Sequence, residues 1–254
     1  MAQEVFKRTE KKYLLTREQY EQLSVRLGEY MKKDKYFESD IMSVYYDTPD
    51  YRLIRASLDK PVFKEKVRLR TYGVPDGNST AFLEYKRKYK GIVYKRRTFM
   101  SLDNVLRFID GEKVEENNPQ IENELRYAFR LYEGLAPRML ISYHRLAYSG
   151  IEDPNLRITF DDRIIYRGYD LDLRNGIYGR ELLKEGERLM EIKIPNAMPL
   201  WLSHILDELK IYPASFSKYG KAYITLMMEN RLNGRDELAA GRSGRNPKRL
   251  KTAI

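Results

Sequence analysis

The stretch KEKVRLRTYG (64–73) carries a basic residue at every second position and ends in a turn. In a β-strand, alternate side chains point to the same face. One face of such a strand would carry Lys64, Lys66, Arg68 and Arg70. Val67 and Leu69 would lie on the opposite face. The stretch therefore predicts a strand with one face for a hydrophobic core and one face with four positive charges.

The same alternation recurs in the other predicted strands. The positions that share a polar face are Arg8, Glu10 and Lys12; Phe82, Glu84, Lys86 and Lys88; Val93, Lys95 and Arg97; Tyr143 and Arg145; Arg157, Thr159 and Asp161; Glu191 and Lys193. The apolar faces opposite them are predicted to include Met139 with Ile141, and Met190 with Ile192. Strands with one apolar face form a sheet that has a core on one side.

Two arrangements explain the charged faces. In an open sheet they would face water, where charges are expected. In a closed barrel, helices would cover the apolar faces from outside and the charged faces would point inward. Arginine recurs on the polar faces, whereas a wet face usually mixes threonine, serine, glutamine, glutamate and lysine. This bias favours the barrel.

Apolar periodicity, turn residues and capping residues predict eight strands and six helices. The strands are 5–15, 41–48, 61–73, 81–91, 92–100, 138–150, 156–167 and 188–195. The helices open at Thr16 and Ser101 and cover 51–58, 119–134, 199–210 and 217–230, while 168–183 is irregular. We predict an α+β fold, an eight-stranded antiparallel β-barrel tunnel with helices packed outside, over residues 1–230. Residues 231–254 are predicted to be a basic, disordered tail.

The composition limits the chemistry that this chain can use. Its 254 residues include no cysteine and two histidines, which excludes disulfides, thiolate zinc sites, cysteine nucleophiles and His-rich metal sites. Any metal would be a hard cation held by carboxylates, such as Mn²⁺ or Mg²⁺. The net charge is +10, but the tail carries half of it, so no specific nucleic acid is expected as a partner. Without a signal peptide or an apolar stretch of spanning length, the chain is predicted to be cytoplasmic.

An inward ring of lysine and arginine would be unfavourable in an empty cavity, because desolvated like charges repel. It suits a lumen that binds a polyanion, since arginine forks and lysine charges match phosphate oxygens. Glu10, Glu84 and Glu191 are the acids on the inward faces. We expect them to hold a divalent cation that bridges the phosphates.

Seven motifs, taken in order, resemble a known family. They are RTEKKY (8–13), VRLRTYG (67–73), LEYKRK (83–88), ISYHRLAY (141–148), LRITFDDRI (156–164), LMEIKIP (189–195) and SFSKYGKAY (215–223). Together they resemble the VTC domain, the polyphosphate polymerase domain of vacuolar transporter chaperone proteins. That domain is part of the triphosphate tunnel metalloenzyme, or CYTH-like, superfamily. The resemblance implies a basic eight-stranded tunnel that builds polyphosphate from ATP.

The resemblance also implies roles for individual residues. The expected phosphate-binding, catalytic lining is Lys12, Arg68, Arg70, Lys86, Arg145 and Arg157, with Glu191 as metal ligand and Glu10 and Glu84 as further candidates. The expected additional substrate contacts are Arg8, Lys66, Lys95, Arg97, Tyr143, Lys193, Ser217 and Lys218. Two positions depart from the family pattern: Arg8 replaces an acid of the broader superfamily, and Ser215 stands where a basic residue is expected.

Four functions follow from this interpretation. The first is an ATP-dependent polyphosphate polymerase, with ATP, polyphosphate, and pyrophosphate or triphosphate as partners. The second is a triphosphatase, in which Glu10 or Glu84 would activate water. The third is a sensor that binds polyphosphate or nucleotide without catalysis, and the fourth and weakest is a nucleic-acid binder. Any coupling to transport would need a separate membrane-protein partner.

Overall fold

Turn and capping residues divide this chain into short strands and helices. The computed structural model describes residues 9–59, 62–90, 92–115, 117–195 and 197–232. Arg8 and all but two residues of the predicted tail lie outside these ranges. The strands are β1 (Thr9–Leu15), β2 (Met31–Asp47), β3 (Phe63–Tyr72), β4 (Thr80–Tyr89), β5 (Ile92–Ser101), β6 (Ala136–Gly150), β7 (Arg157–Arg167), β8 (Arg180–Glu181) and β9 (Arg188–Ile194). The helices are α1 (Arg17–Leu27), α2 (Arg52–Leu58), α3 (Leu102–Ile109), α4 (Pro119–Leu131), α5 (Leu200–Glu208) and α6 (Lys218–Leu232).

All strand pairs in the sheet are antiparallel. The order is β1-β9-β7-β6-β2-β3-β4-β5, and the two-residue β8 pairs with β7. β1 and β5 are the two edges, yet both contribute side chains to one cavity. The sheet is therefore curled into a tunnel rather than closed by hydrogen bonds. The predicted α+β tunnel is confirmed. The predicted closed barrel is corrected, because no hydrogen-bonded pairing joins β1 to β5 among the described residues.

The gap beside β1 is partly covered by the segment before α6. The Ala214 amide donates to the Lys12 carbonyl at 2.7 Å, and Pro213 forms a bridge with Tyr13. This short pairing satisfies part of the exposed edge of β1, as an unpaired strand edge requires. It also brings the start of α6 to the cavity.

The apolar faces of the outer strands pack against helices. α3 and α4 cover β3, β4 and β5 through Val105, Phe108 and Leu125. α1 and α5 cover β1, β7 and β9 through Leu23 and Leu202. α1 begins at the predicted capping box, in which Thr16 Oγ1 accepts from the Gln19 amide at 3.2 Å. None of the described helices is both long enough and apolar enough to span a membrane.

The inner face of the sheet changes character along its length. Met139 and Ile141 belong to a buried cluster with Tyr143, Tyr219 and Ala222. They have the same strand parity as Tyr143, so the prediction that they lie on the opposite face is wrong. α6 packs on this apolar part of the concave face. One end of the tunnel is therefore occupied by α6, and the charged part is left beside it.

β2 is much longer than the predicted strand 41–48. It begins at Met31 and pairs with β6 from Met31, opposite Gly150, to Asp47, opposite Ala136. Residues 31–40 are highly charged and lack a regular alternation, and the ladder is irregular between Lys33 and Glu38. Pairing with β6, rather than the local pattern, makes this segment a strand.

Candidate functional site

The charged part of the concave face encloses a cavity of about 360 Å³. Every long strand except β7 contributes to its wall, and so does the start of α6. Nine basic residues line it: Lys12, Lys66, Arg68, Arg70, Lys86, Lys95, Arg145, Lys193 and Lys218. Three acidic residues line it: Glu10, Glu84 and Glu191. The wall therefore carries an excess of positive charge in a space suited to a polyanion.

Glu84 organises the cations of β3 and β5. It is buried, and it lies 2.5 Å from both Arg68 Nε and Lys95 Nζ. Burial would raise the pKa of Glu84, but the charges of Arg68, Arg70 and Lys95 outweigh it and lower the pKa to about 2. Glu84 is thus an anchor for basic side chains at neutral pH.

Arg70 lies deepest among the arginines of β3. Its side chain is buried, with Nε donating to Ser43 Oγ at 3.3 Å and Nη2 donating to Tyr143 Oη at 3.2 Å. Neither partner is charged, so the guanidinium keeps its positive charge uncompensated by these contacts. Such a group is positioned by its neighbours and available to a phosphate.

A second carboxylate, Glu191, organises the other side of the cavity. Its Oε1 lies 3.1 Å from Lys12 Nζ and 3.3 Å from Lys218 Nζ, and its Oε2 lies 3.8 Å from Arg145 Nη2. Register explains the first contact, because Lys12 of β1 is directly opposite Glu191 of β9. Burial opposes ionisation, but Lys218, Lys12 and Arg145 hold the pKa of Glu191 well below its usual range.

Asp161 is a residue of this cluster that the sequence analysis did not assign to the site. It is fully buried and accepts two hydrogen bonds from Arg145, at 2.6 and 2.7 Å, and one from Lys218 Nζ. Burial opposes ionisation, but Lys218 and Arg145 lower its pKa. Strand parity places Asp161 on the polar face of β7. Its partners could not be predicted from that pattern, because they follow from the cross-strand register, in which Asp161 lies opposite Arg145.

The start of α6 joins the two halves of the cavity. Ser217 Oγ accepts from Lys66 Nζ at 3.0 Å and from the Gly220 amide at 3.2 Å. Burial and the neighbouring charges of Lys12 and Lys86 lower the pKa of Lys66 to about 8, against the effect of Tyr45. A bound anion would favour the protonated form of Lys66. Helix starts also present free amide groups, which favour anions.

Two tyrosines in the cavity were not predicted. Tyr45 stacks on Tyr219 with ring centroids 4.5 Å apart, and its hydroxyl accepts from Arg68 Nη1 at 3.4 Å. Burial would raise the pKa of Tyr45, but Arg68, Lys66 and Arg70 outweigh it and lower the pKa to about 8. Tyr219 Oη donates to the buried Asp47 at 2.9 Å. This contact fixes the first turn of α6 against β2.

The structure brings together most of the predicted site residues. Fourteen of them line the cavity: Glu10, Lys12, Lys66, Arg68, Arg70, Glu84, Lys86, Lys95, Tyr143, Arg145, Glu191, Lys193, Ser217 and Lys218. Arg157 instead pairs with Asp34 at 2.7 Å. Arg97 packs over the Phe82 ring at 3.7 Å and lies 3.6 Å from Glu84, at the edge of the cavity. Neither is part of the described wall. Arg8 lies outside the described residues.

The carboxylates of the cavity place a limit on metal binding. Among the described residues, no group of three histidine, cysteine or acidic side chains is arranged to hold a metal ion. Mg²⁺ is often bound by one or two carboxylates, with phosphates as further ligands. Glu191 fits that kind of site, because phosphate oxygens could supply the remaining ligands. Both Glu191 and Glu84 would have to exchange contacts with cations for a metal ion. At Glu191 the nearest ones, Lys12 and Lys218, lie 3.1 and 3.3 Å away, whereas at Glu84 two cations lie closer, at 2.5 Å.

Acid should destabilise the folded protein through Glu84. The pKa of Glu84 is about 2 in the folded protein, and its ordinary value is 4.5. The ionised Glu84 carboxylate therefore contributes its full stabilisation above about pH 5, and this contribution is lost as the pH falls toward 2. Glu84→Gln should be less stable by about 3 kcal/mol at pH 7, and the difference should disappear near pH 2. Denaturant unfolding measured from pH 7 to pH 2 tests this.

Glu208→Gln provides the control, because Glu208 is exposed and its ion pair with Arg26 lies at the surface. The free energy of unfolding of Glu208→Gln should follow the wild-type curve across the same pH range. If the Glu84→Gln curve also runs parallel to that of the wild type, Glu84 does not contribute the predicted acid sensitivity.

A curled antiparallel sheet around a strongly basic cavity defines a tunnel-type fold. The chain belongs to the VTC domain family, whose model matches residues 7–227. This confirms the resemblance drawn from the seven motifs. No curated protein sequence matches the chain.

Three solved structures are similar to this chain at low sequence identity. A proposed adenylate cyclase from Bacillus halodurans is 13% identical, with a TM-score of 0.51, and the match covers 82% of this chain and 92% of that one. A proposed adenylate cyclase from Vibrio parahaemolyticus is 12% identical, with a TM-score of 0.44 and coverage of 84% and 96%. A proposed adenylyl cyclase from Hippeastrum, described as having a dominant triphosphatase activity, is 17% identical, with a TM-score of 0.49 and coverage of 83% and 92%. The first of these likenesses supports the fold and nothing beyond it.

Proposed function

We propose that this protein is an ATP-dependent polyphosphate polymerase that transfers the γ-phosphate of ATP to a growing polyphosphate chain. The observation that carries the proposal is the wall of nine basic and three acidic residues in a VTC domain. Phosphoryl transfer depends mainly on positioning and on neutralising charge, and this wall supplies both.

The phosphates of ATP would bind between the two carboxylate-centred clusters. Arg68 and Lys95 extend from Glu84 on one side, while Lys12, Arg145 and Lys218 surround Glu191 and Asp161 on the other. Because the carboxylates hold the cations in place before substrate binds, little reorganisation is needed when charge develops in the transition state. Arg70 and Lys66 would complete the contacts from β3.

In the transfer step, a terminal oxygen of the polyphosphate chain attacks the γ-phosphorus. A new oxygen–phosphorus bond forms, the bond between the γ-phosphorus and the β–γ bridging oxygen breaks, and ADP leaves with that electron pair. The attacking oxygen is already anionic, so no general base is required. This suits a cavity in which Glu84, with a pKa of about 2, is a poor base at neutral pH.

A divalent cation, Mn²⁺ or Mg²⁺, would neutralise charge on the phosphates when bound at Glu191. Side chains of the protein would provide the other contacts with the phosphates. Lys12 and Lys218, which lie 3.1 and 3.3 Å from the Glu191 carboxylate, would be the cations next to the phosphates there. Asp161 would continue to hold Arg145 through its two hydrogen bonds.

A triphosphatase is the second candidate, and Glu10 favours it. Glu10 lines the cavity, its side chain is 37% exposed, and it lies 3.6 Å from Lys12 Nζ. It is the most accessible carboxylate of the wall and could orient a water molecule. A site of this kind would release phosphate without building a chain.

Incubation of the purified protein with ATP and Mn²⁺, followed by gel analysis of the products, tests the proposal. We expect a ladder of long polyphosphate chains together with ADP. A parallel reaction with Mg²⁺ would identify the preferred metal. We also propose a separate membrane-protein partner for the product. The assay can be run without that partner.

Other results of this assay would support a different function. Release of phosphate without a ladder would support the triphosphatase, and Glu10→Gln should then abolish the release. If neither product forms but polyphosphate binds tightly, the protein is a sensor.

A further inference from the structure

Three aromatic side chains form a cluster on the concave face of the sheet, next to the basic cavity of about 360 Å³. Tyr72 contacts Phe82 edge to face with ring centroids 5.8 Å apart, and Phe82 contacts Phe99 with centroids 6.3 Å apart. We call these three residues the aromatic shelf. Phe82 lies directly opposite Phe99 and Arg70, and Tyr72 has the same strand parity as Arg70. Because Arg70 lines the cavity, the aromatic shelf continues the wall of the cavity.

The aromatic shelf is exposed although it consists of large rings. Tyr72 is 52% exposed and Phe99 is 53% exposed. Cross-strand aromatic pairs stabilise a sheet, which accounts for the contacts among the rings but not for their exposure. On the opposite face of the same strands, apolar side chains are covered by α3 and α4. Exposed clusters of apolar side chains are typical of binding sites, and these rings can be reached by a flat ligand.

Arg97 connects the aromatic shelf to the basic cavity. Its guanidinium carbon lies 3.7 Å from the centroid of the Phe82 ring, and its Nε lies 3.6 Å from Glu84 Oε1. Glu84 is part of the cavity wall, so Arg97 lies at the boundary between the charged residues and the aromatic ones. A ligand that spans this boundary needs an anionic part joined to a flat, weakly polar part.

The spacing of the aromatic shelf fits a nucleoside joined to phosphates. Phe82 and Phe99 lie two residues along their strands from Glu84 and Arg97, a separation of about 7 Å. In a nucleoside triphosphate, the ribose and the base extend beyond the phosphates at one end. Nucleobases of any sequence stack on aromatic side chains and on guanidinium planes. Inorganic triphosphate has no group that could stack on the shelf.

We infer that the aromatic shelf binds the base of the nucleoside triphosphate whose phosphates occupy the basic cavity. The exposed rings of Tyr72 and Phe99 stack on the base, and Arg97 lies between the base and the phosphates. The α-phosphate is then nearest the shelf and the γ-phosphate points along β3 toward Lys66, so the phosphate donor binds in one orientation. This inference rests on the proposed function for its ligand class, but it concerns binding and is tested without catalysis.

The double variant Tyr72→Leu/Phe99→Leu tests this inference, because it removes both exposed rings and keeps apolar side chains. Dissociation constants should be measured by calorimetry for inorganic triphosphate and for an ATP analogue. In this analogue an imido group replaces the β–γ bridging oxygen, so that phosphoryl transfer does not interfere. We expect the affinity for the analogue to fall about tenfold, as for the loss of one stacked base. The affinity for inorganic triphosphate should stay within about twofold of wild type.

Two further double variants provide controls. Tyr72→Phe/Phe99→Tyr keeps both rings, so it should bind the ATP analogue as the wild type does. Tyr36 and Tyr127 are exposed and do not line the basic cavity, so Tyr36→Leu/Tyr127→Leu removes two rings elsewhere and should leave the affinity for both ligands unchanged. Stacking can also be observed directly with the triphosphate of 2-aminopurine riboside, whose fluorescence is quenched when its base stacks. The quenching should be present in the wild type and lost in Tyr72→Leu/Phe99→Leu.

Equal loss of affinity for both ligands, no loss for the ATP analogue, or an equal loss in Tyr36→Leu/Tyr127→Leu would overturn the role of the aromatic shelf. These results would leave the phosphate site and the proposed function in place. Failure of the wild type to bind inorganic triphosphate has a different meaning. That result would reject the proposed function, and the inference that rests on it, whatever the shelf variants show.

Discussion

Glu191→Ala is expected to lower the metal-dependent activity by a factor of about 10²–10³, the range found when one transition-state contact is removed. The structure adds a second effect. Three cations, Lys12, Arg145 and Lys218, lie within 4 Å of the Glu191 carboxylate. Removing it leaves Arg145 and Lys218 with Asp161 alone and Lys12 with Glu10 at 3.6 Å, so the loss of stability should be smaller than the loss of about 3–5 kcal/mol expected for a buried charge left without any partner. The ligand-free variant should therefore unfold more easily than the wild type.

Inorganic triphosphate should reverse much of this loss of stability. Its negative charges replace the missing carboxylate, and a ligand that binds only the folded state stabilises it. Thermal unfolding with and without triphosphate measures the effect. The increase in melting temperature on adding triphosphate should be larger for Glu191→Ala than for the wild type, although activity with Mn²⁺ stays low.

Glu122→Ala is the matched control. Glu122 is also a buried carboxylate, but it lies on α4, where it accepts from Thr98 Oγ1 at 2.6 Å and from backbone amides. Its loss should lower stability without enlarging the response to triphosphate. If Glu191→Ala retains activity, Glu191 is not the metal ligand. If triphosphate stabilises both variants equally, the cluster around Glu191 is not the phosphate site.

The strand alternation in KEKVRLRTYG was enough to predict which face of β3 is charged. Local patterns repeat every two residues in a strand, so the face of Lys66, Arg68 and Arg70 follows from parity alone. Parity also gave the charged faces of β1, β4 and β9. That the sheet curls so that these faces meet is a property of the whole sheet. It was predicted through the bias toward arginine and the resemblance, not through any one strand.

Other features depend on contacts that no local pattern contains. Residues 31–40 form a strand because β6 pairs with them. The inward face of Met139 and Ile141 follows from their parity with Tyr143, whereas the α6 residues that bury them do not follow from any local pattern. Arg157 was expected in the cavity from its strand face, but Asp34 of β2 holds it. Its partner is more than 120 residues away in the sequence, as the numbering shows. Sequence patterns assign faces, whereas ion pairs depend on register and curvature.

Asp161→Asn is expected to weaken triphosphate binding although the side chain is not proposed to touch the ligand. Asp161 fixes Arg145 through two hydrogen bonds and also accepts from Lys218. An asparagine keeps the size of the side chain but removes its charge, so one buried carboxylate is lost from beneath two cations. We expect a loss of stability of about 3–5 kcal/mol.

The loss of a fixed orientation for Arg145 and Lys218 should also weaken the binding of triphosphate. With their anchor removed, Arg145 and Lys218 can adopt positions that do not match a bound phosphate, and each well-placed charged hydrogen bond contributes about 1.5–3 kcal/mol. The dissociation constant for triphosphate should rise at least tenfold. Calorimetric titration below the melting temperature of the variant separates this effect from unfolding.

The neighbouring residue provides a control on the same strand. Asp162 accepts from Arg188 and contacts His144 Nδ1 at 3.0 Å, and neither partner lines the cavity. Asp162→Asn should therefore lower stability while leaving the affinity for triphosphate within about twofold of wild type. Equal loss of affinity in the two variants would show that β7 acts only through the stability of the fold. A loss confined to Asp161→Asn would identify Asp161 as the residue that positions the cations of the phosphate site.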